Sequence, residues 1–405
     1  MTTLTESSAP TTGIDTGAEV VRQLRDLLPQ LKSGAAANEQ ARRLSEDTVD
    51  ALRRSGAFRI AAPARFGGLE TNLRTMLEVS ATIAEGDGGA AWVTTLSNIN
   101  HWALGMFTEQ AQSEVYADGP DVIISGVVSP TATARPVPGG YRVSGQWPYA
   151  SASVHATWCT GGVVILDEDE TVMDQGMALI PRTDYHVDDT WYVAGMRASG
   201  SNTVVADDVF VPEHRMLSMM GAFSGSYVSE RTDSAFARSA FGPMLVMVLV
   251  GPQLGMGRAA LELVRTKAAE KSLAYTVFER QADSVAFQML VAEAALKIDT
   301  AHLHAFRAAD DVQRWADAGE YPDLLSRARV RGDAATALRS INEALNTLLD
   351  ATGAGAFAEV NALQRIWRDS NVGARHEVML PRVSIETYGK ALLGVELHDH
   401  ITPII

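Results

Sequence analysis

Apolar residues recur on one helical face near the start of the chain, at Val20, Val21, Leu24, Leu27 and Leu28, which predicts an amphipathic helix. A second helix is expected from Leu44-Ser45-Glu46-Asp47, with Ser45 placed as its N-cap, and it ends at Ser55-Gly56. The loop Pro63 to Glu70 carries paired glycines, and Leu73 to Glu85 is helical again. After Gly86-Asp87-Gly88-Gly89 a further apolar helix, AAWVTTLSNINHWALGMF, carries Asn100 and His101. From Asp121 to Pro212 the period changes to two: short runs such as VIISGVV, GGVVILD and TVVADDVFVP alternate with turns, as in a compact antiparallel β domain.

A Ser-rich connection, Ser224 to Ser234, leads back to helical periodicity. Phe241 to Ser272, Ser284 to Ala318, Tyr321 to Thr352 and Leu363 to His376 read as four long helices, which suggests a bundle. Gly353 to Phe357 (GAGAF) follows a helix rather than a strand, so a dinucleotide fingerprint is rejected. The expected organisation is a disordered lead-in over 1–15, a helical domain over 16–118, a β domain over 119–215 and a helical bundle over 216–405.

Composition narrows the partners. A formal net charge of -15 argues against nucleic acid or an anionic membrane. The single cysteine, Cys159, excludes an internal disulfide and any Cys-rich metal site, in keeping with a reducing cytoplasm. The longest apolar run, Met244 to Val250, is seven residues, and the first residues have neither a basic start nor an apolar segment. A cytoplasmic location is expected. His302 and His304 lie two apart on a predicted helix, so their rings diverge, and His398-Asp399-His400 reads as a solvated tail; no metal site is assigned. No G-x-S-x-G elbow is present.

The most informative stretch is Gly139 to Trp158, GGYRVSGQWPYASASVHATW. A Gly-Gly turn precedes the alternation Tyr141, Val143, Trp147, Tyr149 of a half-buried strand. Ala150, Ser151, Ala152 and Ser153 follow, small and hydroxyl residues where a planar ligand can approach the backbone. Alone this is an ordinary hairpin. Together with Gly195-Met196-Arg197-Ala198-Ser199-Gly200-Ser201, with Val204 to Pro212, and with a C-terminal Arg368-Asp369 followed by a histidine, it resembles the acyl-CoA dehydrogenase fold. The resemblance runs from about Arg22 to Gly394 and implies an α+β, mostly α, architecture: helical domain, central antiparallel β domain, C-terminal four-helix bundle.

Within that fold the chain resembles the two-component flavin-dependent monooxygenases, which include aromatic hydroxylases, dibenzothiophene monooxygenases and nitrososynthases. The dehydrogenases place a catalytic glutamate of a Glu-Gly-Thr motif after their Arg-Asp; here Glu377 falls near that place but Val378-Met379 follows it. The monooxygenases place a histidine seven residues after the Asp, and His376 is seven after Asp369. Tyr388-Gly389 also suits that group.

The resemblance implies the oxygenase component of a two-component system. It would use reduced flavin (FMNH2 or FADH2) from a separate NAD(P)H:flavin reductase, and O2, to form a C4a-hydroperoxyflavin. The product would be a hydroxylated small aromatic compound, with N-oxidation of an amine or S-oxidation equally allowed by the fold. By the same resemblance His376 donates to the oxygen, Ser151 supports the flavin N5 edge, and His101 holds or deprotonates the substrate, with Asn100 and Ser153 as rivals for neighbouring roles. Flavin contacts are expected from Ser129, Thr131, Trp147, Ser151 and Ser201, with Arg280, Gln364 and Arg368 toward the phosphates, across a subunit boundary of a homotetramer. Each has a plainer reading: Ser151 as a strand-end cap, His376 paired with Asp369 or Glu377, His101 as a satisfied core histidine. An acyl-CoA dehydrogenase-like enzyme with Glu377 as base, and a non-catalytic ligand-binding descendant, are the alternatives.

Overall fold

The computed structural model describes residues 16–224, 234–395, 401–402 and 404–405. The expected lead-in, most of the Ser-rich connection and His398 to His400 lie outside the described residues. The chain opens with α1 (Thr16–Ala41), α2 (Glu46–Arg54), α3 (Leu73–Ala84), α4 (Gly88–Leu104) and α5 (Glu109–Val115). Ser45 does cap α2, its hydroxyl accepting the Thr48 N–H at 3.2 Å. Asp87 caps α4 more strongly, with one oxygen accepting Gly89 N at 2.9 Å and Ala90 N at 3.2 Å, and the other accepting Asn38 Nδ2 at 2.9 Å. Every residue of α4 is buried.

The sheet follows: β1 (Ile124–Val137), β2 (Gly140–Ala150), β3 (Trp158–Leu166), β4 (Val172–Pro181), β5 (His186–Asp188), β6 (Asn202–Pro212) and β7 (Met216–Ser218), in the order β5-β6-β2-β1-β3-β4-β7. It is mixed, which corrects the expectation of a wholly antiparallel domain. The turn after Ser151 carries the chain past β1, so that β3 pairs with β1 in parallel, Ile124 opposite Trp158.

The remaining elements are α6 (Met219–Ser224), α7 (Phe241–Val248), α8 (Gly251–Ala268), α9 (Val285–Ala318), α10 (Leu324–Thr352), α11 (Ala362–Gly373) and α12 (Pro381–Leu392). The helix expected from Phe241 to Ser272 is broken at Leu249-Val250; Pro252 sits in the first turn of α8, where its missing N–H costs nothing. The sequence pattern did not predict α12, which packs on α10. One hydrophobic core joins the two helical blocks, with α3 and α4 against α8. A second, smaller core lies within the sheet around Trp147, Cys159 and Val163.

Candidate functional site

Strand β2 ends at Ala150, and Ser151 stands at the start of the turn that leaves it. Two residues flanking that serine, Tyr149 and Ala152, both have φ near 64°, an unusual conformation for residues with a side chain. Ser125 Oγ donates to the Ser151 carbonyl at 2.8 Å, and Ala152 N donates to Ser199 O at 3.0 Å, so the turn is held from both sides. The Ser151 hydroxyl is buried in a chain of polar contacts. It accepts Trp92 Nε1–H at 3.1 Å and shares a hydrogen bond with Ser201 Oγ at 2.8 Å, which is bonded in turn to Ser199 Oγ at 2.6 Å.

Trp92 comes from α4, and its other neighbour is His376. The indole and imidazole rings lie 5.8 Å apart, centroid to centroid, tilted by 53°. His376 follows the end of α11, where its N–H donates to the Gly373 carbonyl at 3.1 Å. Its Nδ1 accepts the N–H of Val378 at 3.4 Å, which assigns the proton of the neutral ring to Nε2. That Nε2 has no partner among the described residues. Burial lowers the His376 pKa to about 4, so the ring is neutral at neutral pH, with one N–H to donate. Gly373 is required at this crossing: a Cβ there would stand 2.8 Å from Gln253 Nε2, 3.0 Å from the Met196 methyl and 3.4 Å from the Trp92 ring.

His101, expected on the substrate side, is placed otherwise. Its Nε2–H donates to Val122 O at 2.8 Å, and its Nδ1 accepts the Tyr116 hydroxyl at 2.9 Å, with the two rings stacked at 5.6 Å. Both nitrogens are engaged by the fold, and burial lowers its pKa to about 4. A ring so held ties α4 to the segment before β1, and the plainer reading of a satisfied core histidine describes this placement. Asn100 is likewise engaged, its amide donating to Leu96 O at 2.7 Å and its oxygen accepting Thr160 Oγ1 at 2.8 Å. Ser153 donates to Gly200 O at 3.0 Å.

Trp147, expected at the flavin, is placed inside the sheet. It is fully buried in the sheet's own core, lying against Gly161, and its Nε1–H donates to Gly162 O at 2.7 Å. The β2–β6 pairing slips between Val143 and Gly145 and again between Trp147 and Ala150, so simple alternation fails and Tyr149 turns outward, 67% exposed. Ser129 and Thr131 sit on the exposed bulge of β1 where its register with β3 shifts; the Thr131 hydroxyl donates to Gln146 O at 2.6 Å.

Ser201 belongs to the Ser151 cluster. Arg280 is on the surface, paired with Asp283 at 2.6 Å. Arg368 donates to Gln364 Oε1 at 2.7 Å, to Glu39 at 2.6 Å and to Ala194 O, bracing α11 against α1 and the β domain. Of the ten residues assigned from the sequence, the structure brings Ser151, Ser201 and His376 together. It adds Trp92 between them, and Ser199 beside Ser201. Trp92 was invisible as a site residue because α4 is buried all round.

A helical block, a mixed sheet and a helical bundle, with hydroxyls from the sheet and an imidazole from the bundle on two sides of one buried indole, define the acyl-CoA dehydrogenase-like class. Residues 247–381 match the family model described as acyl-CoA dehydrogenase, C-terminal domain. Along nearly its whole length the chain belongs to the oxygenase subunits of flavin-dependent monooxygenases. It is 32% identical over 381 residues to the flavin-dependent monooxygenase oxygenase subunit HsaA of Rhodococcus jostii (strain RHA1), covering 94% of this chain and 99% of that one. It is 31% identical to the oxygenase component of the FADH(2)-dependent resorcinol hydroxylase of Rhizobium sp. (strain MTP-10005), covering 90% and 91%. The structure of XiaF from Streptomyces sp. in complex with FADH2 and glycerol superposes with a TM-score of 0.89 at 34% identity, over 94% of this chain and 96% of that one. Those relatives decide against the dehydrogenase alternative; Glu377, its base, is exposed.

Proposed function

We propose that this monooxygenase subunit receives reduced flavin by diffusion from a separate reductase and adds one oxygen atom of O2 to a small aromatic compound. N-oxidation of an amine is the other reaction the site chemistry accommodates. The observation that carries the reading is the Ser151–Trp92–His376 arrangement: a buried hydroxyl held by an indole N–H, beside a neutral imidazole with an unengaged Nε2–H.

These residues fit a flavin ring. A hydroxyl chain at a strand end supplies polar contacts at a ring edge without charge, and the imidazole supplies one donor beside the buried Trp92 ring. Bound reduced flavin supplies the electrons that activate dioxygen. Ser151 would then anchor the ring's N5 edge, Ser201 would orient the Ser151 hydroxyl, and Trp92 would exclude water between serine and histidine. His376 would hold a proton at Nε2 for the oxygen that departs as water.

FADH2 is favoured over FMNH2, because the resorcinol hydroxylase and XiaF are both described with FADH2. Arg280 is free to exchange Asp283 for a phosphate on a neighbouring subunit. An assembly of copies is supported by α9, where Val285, Met289, Leu296 and Leu303 expose a ridge with heptad spacing over its last three members. We assign this ridge to a homotetramer contact. A cytoplasmic location is in keeping with the buried, unpaired Cys159.

The test is turnover with isotopically labelled dioxygen, chemically or enzymatically reduced FAD and a panel of phenols, indoles and amines. The reading requires label in one product, and a larger share of reduced flavin ending as hydrogen peroxide in Ser151→Ala and His376→Ala. Absence of label with every compound, or variants as well coupled as the wild type, sinks it.

A further inference from the structure

We infer that Asp369 is a positioning residue for the flavin-facing serine cluster, through a backbone hydrogen bond that locks the turn at Met196 to the helix that delivers His376. The inference rests on the functional reading above, and goes beyond it by naming a residue that touches neither cofactor nor substrate.

The turn between β5 and β6 needs an external clamp. Met196 has φ near 54° and Gly200 φ near 56°, and the single 3-10 turn Arg197–Ser199 sits between them. A left-handed Met is a conformation that persists only where neighbours over-determine it. Three contacts do so. Asp369 Oδ1 accepts the Met196 N–H at 2.6 Å, Trp191 Nε1 donates to the Met196 carbonyl at 2.9 Å, and Ser199 N donates to that same carbonyl at 3.1 Å. The backbones also meet directly, since a Cβ on Gly195 would lie 2.3 Å from the Arg368 carbonyl oxygen.

What the clamp holds is Ser199 and, two residues on, Ser201, whose hydroxyls lead to Ser151. What it holds them to is α11, whose end sets His376. One carboxylate therefore fixes the distance between the hydroxyl arm and the imidazole arm of the site. Asp369 also lies against the start of α4, where a Cβ on Gly88 would stand 3.6 Å from the Asp369 Cβ, and α4 carries Trp92. All three arms converge on this residue. Its second oxygen has no hydrogen-bond partner among the described residues, and the residue lines a cavity of about 370 Å³ with Asp87, Arg365 and Lys32.

The hydrogen bond needs an acceptor at Oδ1 and not a charge, so Asp369→Asn keeps it and Asp369→Ala removes it. Trp191→Phe removes the second tether while keeping a ring. In flavin-free protein, amide exchange over Gly195 to Ser201 should quicken about tenfold in Asp369→Ala and in Trp191→Phe and stay near wild type in Asp369→Asn. With reduced flavin and a substrate, the peroxide share should rise several-fold in the first two and return to wild type in Asp369→Asn. An unchanged peroxide share in Asp369→Ala overturns the inference, as does an Asp369→Asn variant that leaks as much as Asp369→Ala. Should Asp369→Ala not fold, Trp191→Phe decides, and unchanged coupling there is fatal. If the wild type itself inserts no oxygen, the functional reading fails and the positioning role with it; the exchange measured without flavin keeps that failure distinct from loss of the tether.

Discussion

Trp92 donates its indole N–H to the Ser151 hydroxyl at 3.1 Å, so a side chain from the N-terminal helices fixes the orientation of a hydroxyl at the end of the sheet. The same ring faces His376 from the C-terminal bundle. All three parts of the fold are thereby joined through one buried indole, and its two functions can be separated. Trp92→Phe removes the donor and keeps most of the ring. We expect a peroxide share raised several-fold, with melting little changed. Trp92→Ala removes the ring as well, at a cost of about 3–5 kcal/mol in stability. Denaturant unfolding beside coupling measurements distinguishes them; a fully coupled Trp92→Phe would mean that Ser201 alone suffices to hold Ser151.

A second expectation concerns pH. His376 has its pKa held at about 4 by burial, well under the 6.5 of a free imidazole. Its Nε2 proton as a neutral donor is therefore present throughout the range from pH 5 to 9. The dependence of coupling on pH in that range should contain no step near 6.5 that disappears in His376→Gln. Such a step would place the imidazole in water and remove it from the closed site described here.

His101 leads to a stability prediction. Its pKa in the folded protein is about 4, against 6.5 when exposed, because burial disfavours the charged ring. The unfolded chain binds the extra proton first as pH falls, so the native state is fully favoured above pH 6.5. It then loses stability as pH drops through 6.5 toward 4. The loss from this one residue amounts to about 3 kcal/mol by pH 4. Urea unfolding of wild type and His101→Gln at several pH values checks it: the variant should start lower, through an altered contact to Tyr116, and fall less steeply. Parallel curves would mean that the ring is protonated without penalty.

Much of this was legible in the sequence, and the misses have physical causes. The order of helices, strands and helices followed from the change of period at Asp121 and again after the Ser-rich connection. Ser151 stood out as a hydroxyl at a strand end, but its role, and the choice of His376 seven residues after Asp369, came from the resemblance to the monooxygenases. Tyr149 faces outward because the β2–β6 register slips after Trp147, which breaks the alternation read from Tyr141 onward; the flavin contact of Trp147 came from the resemblance alone, and its place inside the sheet is set by packing. The fate of His101 depends on Tyr116 and on the carbonyl of Val122, a partner set by tertiary packing that no local pattern encodes. Trp92 stayed hidden for a related reason: on a helix buried along its whole length, no residue stands out by periodicity.

The crossing of α11 over α4 offers the sharpest steric test. Gly373 → Ala would place a methyl 3.4 Å from the Trp92 ring, 3.0 Å from the Met196 methyl and 2.8 Å from Gln253 Nε2. The last distance is too short, and Gln253 has little freedom, because its Oε1 accepts the Ser370 hydroxyl at 2.6 Å and its amide donates to the Ser370 carbonyl at 3.3 Å. The strain must pass to α11 or to the indole. Overpacking of this kind costs about 1–3 kcal/mol. Because His376 is bonded to the Gly373 carbonyl at 3.1 Å, the shift should also move the imidazole away from Trp92. The expected result is a lower unfolding midpoint together with a rise in the peroxide share. Loss of stability with coupling intact would show that the site tolerates movement of α11, and that the spacing between Trp92 and His376 does not set the outcome of the reaction.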